Sequence, residues 1–110
     1  MGYFFSLIGE KVVVLPKIIT MDILDADFWI ENHYPTTLVK DRHNGEYSGG
    51  IWTCWPVLPY EVPVDVYGDQ ISNMFFWGRF DKSVVGIGNT TDEAIIDLED
   101  KLRKLISKTE

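Results

Sequence analysis

Few residues in this 110-residue chain are of the types that do covalent or metal chemistry: one cysteine, Cys54, and two histidines, His33 and His43. A thiol attacks as its thiolate, so Cys54 would need a base or a cation beside it. Neither histidine stands in a catalytic motif. Alternating register puts Cys54 on the same strand face as Trp52, where a free cysteine packs as a small hydrophobe. Asp41 and His43 are close enough in sequence for a dyad or half of a metal site, but two ligands at a hairpin end do not close one. The carboxylates lack the D-x-[DN]-x-[DN]-G spacing of a calcium loop. Gly86-Ile87-Gly88 precedes a helix start, where an anion could bind, yet the third glycine of a phosphate cradle is missing and Asp92 and Glu93 would repel the anion. The expectation is a non-enzyme with no catalytic residue, no metal and no cofactor.

Charge is more informative. Seventeen acidic side chains face ten basic ones, a formal charge of −7. The excess is uneven. Between Ile18 and Val39 there is no Lys or Arg, while Asp22, Asp25, Asp27 and Glu31 fall there; between His43 and Gly78 there is again none, with Glu46, Glu61, Asp65 and Asp69. Binding to a phosphate backbone is driven by Lys and Arg displacing counterions, so direct nucleic-acid binding is not expected. A basic protein is the natural partner, since complementary fields speed encounter. Trp55 and Tyr60 flank a proline run and are of the types that anchor interfaces. The predicted contact set is therefore Asp22, Asp25, Asp27, Glu31, Trp55, Tyr60, Asp65 and Asp69.

The elements that must position these residues follow from pattern. The apolar start, Met1 to Ile8, is interrupted by Glu10 and Lys11 and reads as a strand rather than a signal peptide or membrane span; Lys11 to Leu15 reads as a second strand ended by Pro16. Thr20 is placed to cap a short helix over 21–30, with Ile23, Leu24 and Phe28 on its buried face and the carboxylates outward. Thr36 to Arg42 and Tyr47 to Trp55 read as a hairpin about Asn44-Gly45, a pair able to take positive φ. Gly49-Gly50 suggests a bulge or a close backbone approach. Three prolines from Pro56 to Pro63 favour an extended strap.

Asn73 to Phe80 and Ser83 to Ile87 read as two further strands. Adjacent Phe75, Phe76 and Trp77 would then point to alternate faces, and an open edge near Phe75 could pair two copies into a homodimer. The C-terminal reading rests on the most signals: Thr90-Thr91-Asp92-Glu93 has capping-box spacing, and Ile95, Leu98, Leu102 and Leu105 form one apolar stripe. Asp97 with Lys101, Glu99 with Arg103 and Asp100 with Lys104 are spaced for ion pairs. The whole predicts a single α+β domain, 1–110: an antiparallel sheet of about four to six strands with the C-terminal helix on one face. One cysteine allows no internal disulfide, and the expected compartment is the cytoplasm.

Two segments also carry a resemblance. Gly49-Gly50-Ile51-Trp52-Thr53-Cys54-Trp55-Pro56-Val57-Leu58-Pro59, followed later by Gly88-Asn89-Thr90-Thr91-Asp92-Glu93-Ala94 opening a helix, resembles the core of HicB-like antitoxins over residues 36–60 and 83–106. Tyr60 stands where that family has glycine. The resemblance implies a β-β-β-α core and a protein that masks a small basic ribonuclease toxin. Charge alone allows two other readings: a phage or mobile-element anti-defence protein acting as a nucleic-acid mimic against a CRISPR or restriction enzyme, and a small α+β protein whose charge serves only solubility.

Overall fold

A computed structural model describes residues 3–8, 11–16 and 21–109. Within them a three-stranded antiparallel sheet, in the order β3-β4-β5, is formed by β3 (Thr37–Lys40), β4 (Trp52–Trp55) and β5 (Gly86–Gly88). A separate antiparallel pair, β1 (Tyr3–Ile8) and β2 (Lys11–Pro16), precedes it. Among the described residues there are also three α-helices: α1 (Ile23–Asn32), α2 (Gln70–Arg79) and α3 (Thr91–Thr109). The molecule is α+β, and its main sheet has fewer strands than the four to six expected.

Alternation along β4 sorts the core into two layers. Cys54, with Trp52 beside it, faces Ala26 and Trp29 of α1 and Ala94, Leu98 and Leu102 of α3. Trp55 faces the other way, into Val39, Val62, Val66, Trp77 and Val85. The sheet therefore separates α1 and α3 from α2 and the turns that lead into it. The capping box of α3 forms as spaced: Thr90 Oγ1 accepts the Glu93 N–H at 3.1 Å and Glu93 accepts the Asn89 N–H at 3.1 Å. Gly86 is the seat of this helix, because a Cβ there would overlap the Ala94 carbonyl oxygen and lie 2.7 Å from Leu98 Cβ. The glycines that resemble a phosphate cradle are explained by this approach.

Three sequence expectations are corrected. Residues 73–80, expected as a strand, lie in or just beyond α2, so Phe75 is on no sheet edge and cannot pair copies as a strand. Asp69 decides this locally, capping the helix by accepting the Ser72 N–H at 2.9 Å; Phe76, Trp77 and Phe80 then gather round Trp55 with ring centroids 5.5–6.5 Å away. Ser83 and Val84 form a short 3-10 turn instead of a strand.

The hairpin pairs as expected, Thr37 with Trp55 through Lys40 with Trp52, and one further bond runs from the Asp41 N–H to the Ile51 carbonyl, but residues 42–50 leave the ladder in a series of turns. Asp41 replaces the ladder there, its Oδ2 accepting the N–H groups of His43 at 3.1 Å and Gly45 at 2.6 Å. Asn44 and Gly45 do take positive φ, 56° and 80°. Gly50 is the close approach, since a Cβ would stand 2.8 Å from the Gly88 carbonyl oxygen. The proline strap is not extended throughout: it contains a short 3-10 turn, Pro59–Glu61, and a second, Val64–Tyr67, follows it. No helix among the described residues is long and apolar enough to cross a membrane.

Candidate partner-binding surface

α1 begins where Asp22 accepts the Asp25 N–H at 2.8 Å and ends at His33, whose φ of 50° stops the helix. Thr20, the expected cap, lies outside the described residues, and Asp22 does the capping. The buried face is also not the expected one. Only Ala26 and Trp29 are buried, while Leu24 and Phe28, one turn apart, are 78% and 54% exposed and Ile23 is partly so. Ala26 is small enough to let the helix lie close. Trp29 fixes its C-terminal end by donating Nε1–H to the Pro35 carbonyl and to Thr36 Oγ1, both at 3.0 Å, and by stacking on His33 at 4.6 Å.

The outer face of α1 is thus an aliphatic–aromatic pair among carboxylates. Asp22, Asp25, Asp27 and Glu31 are all exposed, and the last turn contains no basic residue. Among the described residues Asp25, Asp27 and Glu31 accept no hydrogen bond and make no ion pair. Elsewhere carboxylates hold the fold together: Asp97 pairs with Lys101 at 2.8 Å, Glu99 with Arg103 at 3.1 Å, and Asp81 accepts the Ser83 N–H at 3.0 Å. An open groove of about 410 Å³, lined by Met21, Asp22, Ile23, Leu24 and Leu105, runs beside the first turn of α1.

The second group of expected contacts lies across the sheet. Tyr60 is exposed, Asp65 is half-buried and Asp69 is exposed at the N-terminus of α2. The Ser72 backbone N–H, followed by its side chain, holds Asp69 below the usual carboxylate range. Ile71, Met74 and Phe75 are exposed on α2, and the Arg79 guanidinium lies 5.7 Å from the Phe75 ring centroid. This apolar group was missed because the segment reads as a strand; the Asp69-x-x-Ser72 spacing is the signal that would have found the helix.

Trp55 belongs to neither surface. It is fully buried and donates its indole N–H to Thr53 Oγ1 at 2.8 Å, so it anchors the core and not a partner. The structure brings Asp22, Asp25, Asp27 and Glu31 together on one helix and sets Tyr60, Asp65 and Asp69 on the opposite face of the sheet.

The groups considered for catalysis are used structurally. Cys54 is fully buried, and burial pushes its thiol up to about 12, away from the thiolate. The His43 Nε2 lies 3.0 Å from the Gly68 carbonyl and so donates to it, while Asp41 bonds backbone N–H groups and not the imidazole. Among the described residues no three His, Cys, Asp or Glu side chains are grouped to hold a metal ion. Compared with known proteins, the chain matches no family model, no curated protein and no solved structure.

Proposed function

We propose that the chain is a non-enzymatic binding protein that covers a basic nucleic-acid-processing partner in the cytoplasm, in the manner of an antitoxin, with α1 as its principal contact. The observation that carries this reading is the outer face of α1, where Leu24 and Phe28 are exposed beside three carboxylates that no described group uses. An exposed ring flanked by aliphatic carbon supplies the apolar anchor of an interface, and surrounding charge supplies steering and orientation. A basic nuclease, toxin or defence effector has the complementary field. The resemblance to HicB-like antitoxins supports the same class of partner.

The position of the second acidic group weighs between readings. A mimic of a long nucleic-acid strand needs carboxylates along one continuous surface, whereas α1 and residues 60–69 pack on opposite faces of the sheet. That arrangement favours docking of one helix over imitation of an extended polyanion, and so favours the antitoxin-like reading over the anti-defence mimic.

The test is affinity capture with the wild-type chain and with the triple variant Asp25→Lys, Asp27→Lys, Glu31→Lys. The expected result is a basic nuclease, toxin or effector held at low salt, weakened as ionic strength rises and lost from the variant. Recovery of no such protein, or a complex indifferent to salt and to the variant, refutes the reading. Charge that served only solubility would give that second result.

A further inference from the structure

The two edges of the main sheet are treated differently. Hydrogen bonds in an antiparallel ladder alternate, so every second residue of an edge strand turns its N–H and C=O outward. At β5 two outward groups are met by α3: the Ile87 N–H donates to Asp97 Oδ2 at 2.8 Å, and Lys101 Nζ donates to the carbonyl of Val85, just before the strand, at 2.8 Å. Asp97 and Lys101 are themselves paired, so a carboxylate and an ammonium occupy the places of a neighbouring strand's acceptor and donor. α3 thus lies over that edge.

On β3 the Asp41 N–H donates inward to the Ile51 carbonyl at 2.7 Å, which assigns Thr37 and Val39 inward as well and turns Leu38 and Lys40 outward. Among the described residues nothing pairs with the outward groups of Leu38 and Lys40. An open edge is a template for another strand.

The chain also contains strands in need of a partner. Among the described residues β1 and β2 pair only with each other, in register from Tyr3 with Pro16 to Ile8 with Lys11. A lone two-stranded hairpin is marginal in water, and stability comes with a third strand or a packing surface. This one is built largely of Phe, Leu, Ile and Val. The hairpin, residues 3–16, is electrically neutral, Lys11 balancing Glu10, and the net negative charge lies outside it, so it brings no like charge to an edge it joins.

We infer that the β1–β2 hairpin of one copy pairs with the β3 edge of a second copy, reciprocally, so that each main sheet of the dimer has five strands. Being reciprocal, the exchange is isologous and closes after two chains, whereas one-way pairing would leave a β1–β2 hairpin and a β3 edge free to continue. Lys40 then serves register: as a charged residue on an edge it discourages pairing with strands that lack a complement.

The test is the oligomeric state of the full chain by light scattering over a concentration series, with hydrogen exchange of the Leu38 and Lys40 amides. The expected result is twice the monomer mass and protection of those two amides that rises with concentration. Leu38→Pro removes an outward N–H while leaving the inward bonds of Thr37 and Val39, and should raise the dimer dissociation constant by about tenfold or more. A mixed-label sample should show contacts between Lys40 of one copy and residues 3–16 of the other. A monomer at all concentrations with the two amides protected places the hairpin on its own chain, and a dimer with Leu38–Lys40 contacts between copies means β3 pairs with β3. Either result overturns the inference, as does a monomer with both amides unprotected.

Discussion

Under the proposed function, Glu31 is the residue at which folding and binding ask for opposite charges. It lies in the last turn of α1, where unpaired backbone carbonyls carry the negative end of the helix dipole and a base is preferred. Glu31→Lys removes a repulsion and adds an attraction. Each is worth about 0.3–1 kcal/mol at an exposed helix end, so together about 0.6–2 kcal/mol of stabilisation at low ionic strength. For a domain of about 100 residues that raises the melting midpoint by about 3–9 °C. Glu31→Gln, which only removes the repulsion, should give about half the gain, and both gains should shrink in about 1 M salt as the Debye length falls to about 3 Å. Association with the basic partner, followed by stopped flow, should slow several-fold for Glu31→Lys. A midpoint that falls or stays fixed at low salt refutes the dipole argument, and an unchanged association rate refutes the assignment of α1 as the contact. A surface charged only for solubility would tolerate the reversal with its stability gain and lose nothing.

Other consequences are open to simpler measurements. With the Cys54 thiol at about 12 against an ordinary value of 9.0, about one thiol in ten thousand is ionised at pH 8, so a disulfide reagent should label the protein only as fast as it unfolds; prompt labelling of the native chain would contradict its burial. Gly86→Ala should cost about 1–3 kcal/mol in denaturant unfolding, since α3 must move off β5 to admit the methyl, and a cost within about 0.5 kcal/mol would mean the helix is not seated there. Asp69 has a folded value below its ordinary 3.8, so its contribution is present above that pH and is lost as pH falls through the lower folded value. Asp69→Ala should accordingly lower the melting midpoint at pH 7 and leave it unchanged in strong acid; a deficit that persists in acid would show that the carboxylate is not what caps α2.

What could be read in advance depended on whether the deciding contacts were local. α3 was legible because its cap, stripe and two of its ion pairs join residues three or four apart, and each formed. α2 was not. Phe75, Phe76 and Trp77 are strand-prone by type, and the choice went to a cap one turn away together with the rings around Trp55, some twenty residues back in sequence. The burial of Trp55 was equally non-local: its place at an interface or in the core depended on whether α2 covered β4. In α1 apolar character misled, because Leu24 and Phe28 are more hydrophobic than Ala26, yet a small residue that allows close approach and an indole with a satisfied N–H made the better inner face. The carboxylates of α1 were legible for a plain reason: a charged side chain without a partner stays in water.

Sorting the carboxylates by what they hold sharpens the meaning of the −7 charge. Asp22, Asp69 and Asp81 cap turns or helices, Asp41 closes a loop, Glu93 completes the capping box, and Asp97 and Glu99 pair with bases on α3. These would be retained by a protein with no partner at all. Asp25, Asp27 and Glu31 have no such role among the described residues, and they fall within seven residues of one another on the helix that also exposes Phe28. Unused like charges on adjacent turns repel, so solubility alone would be served at least as well by scattering them. Their concentration on one helix, against the preference of its dipole at Glu31, is what supports the proposed reading of α1 as a contact surface over that of a merely acidic protein.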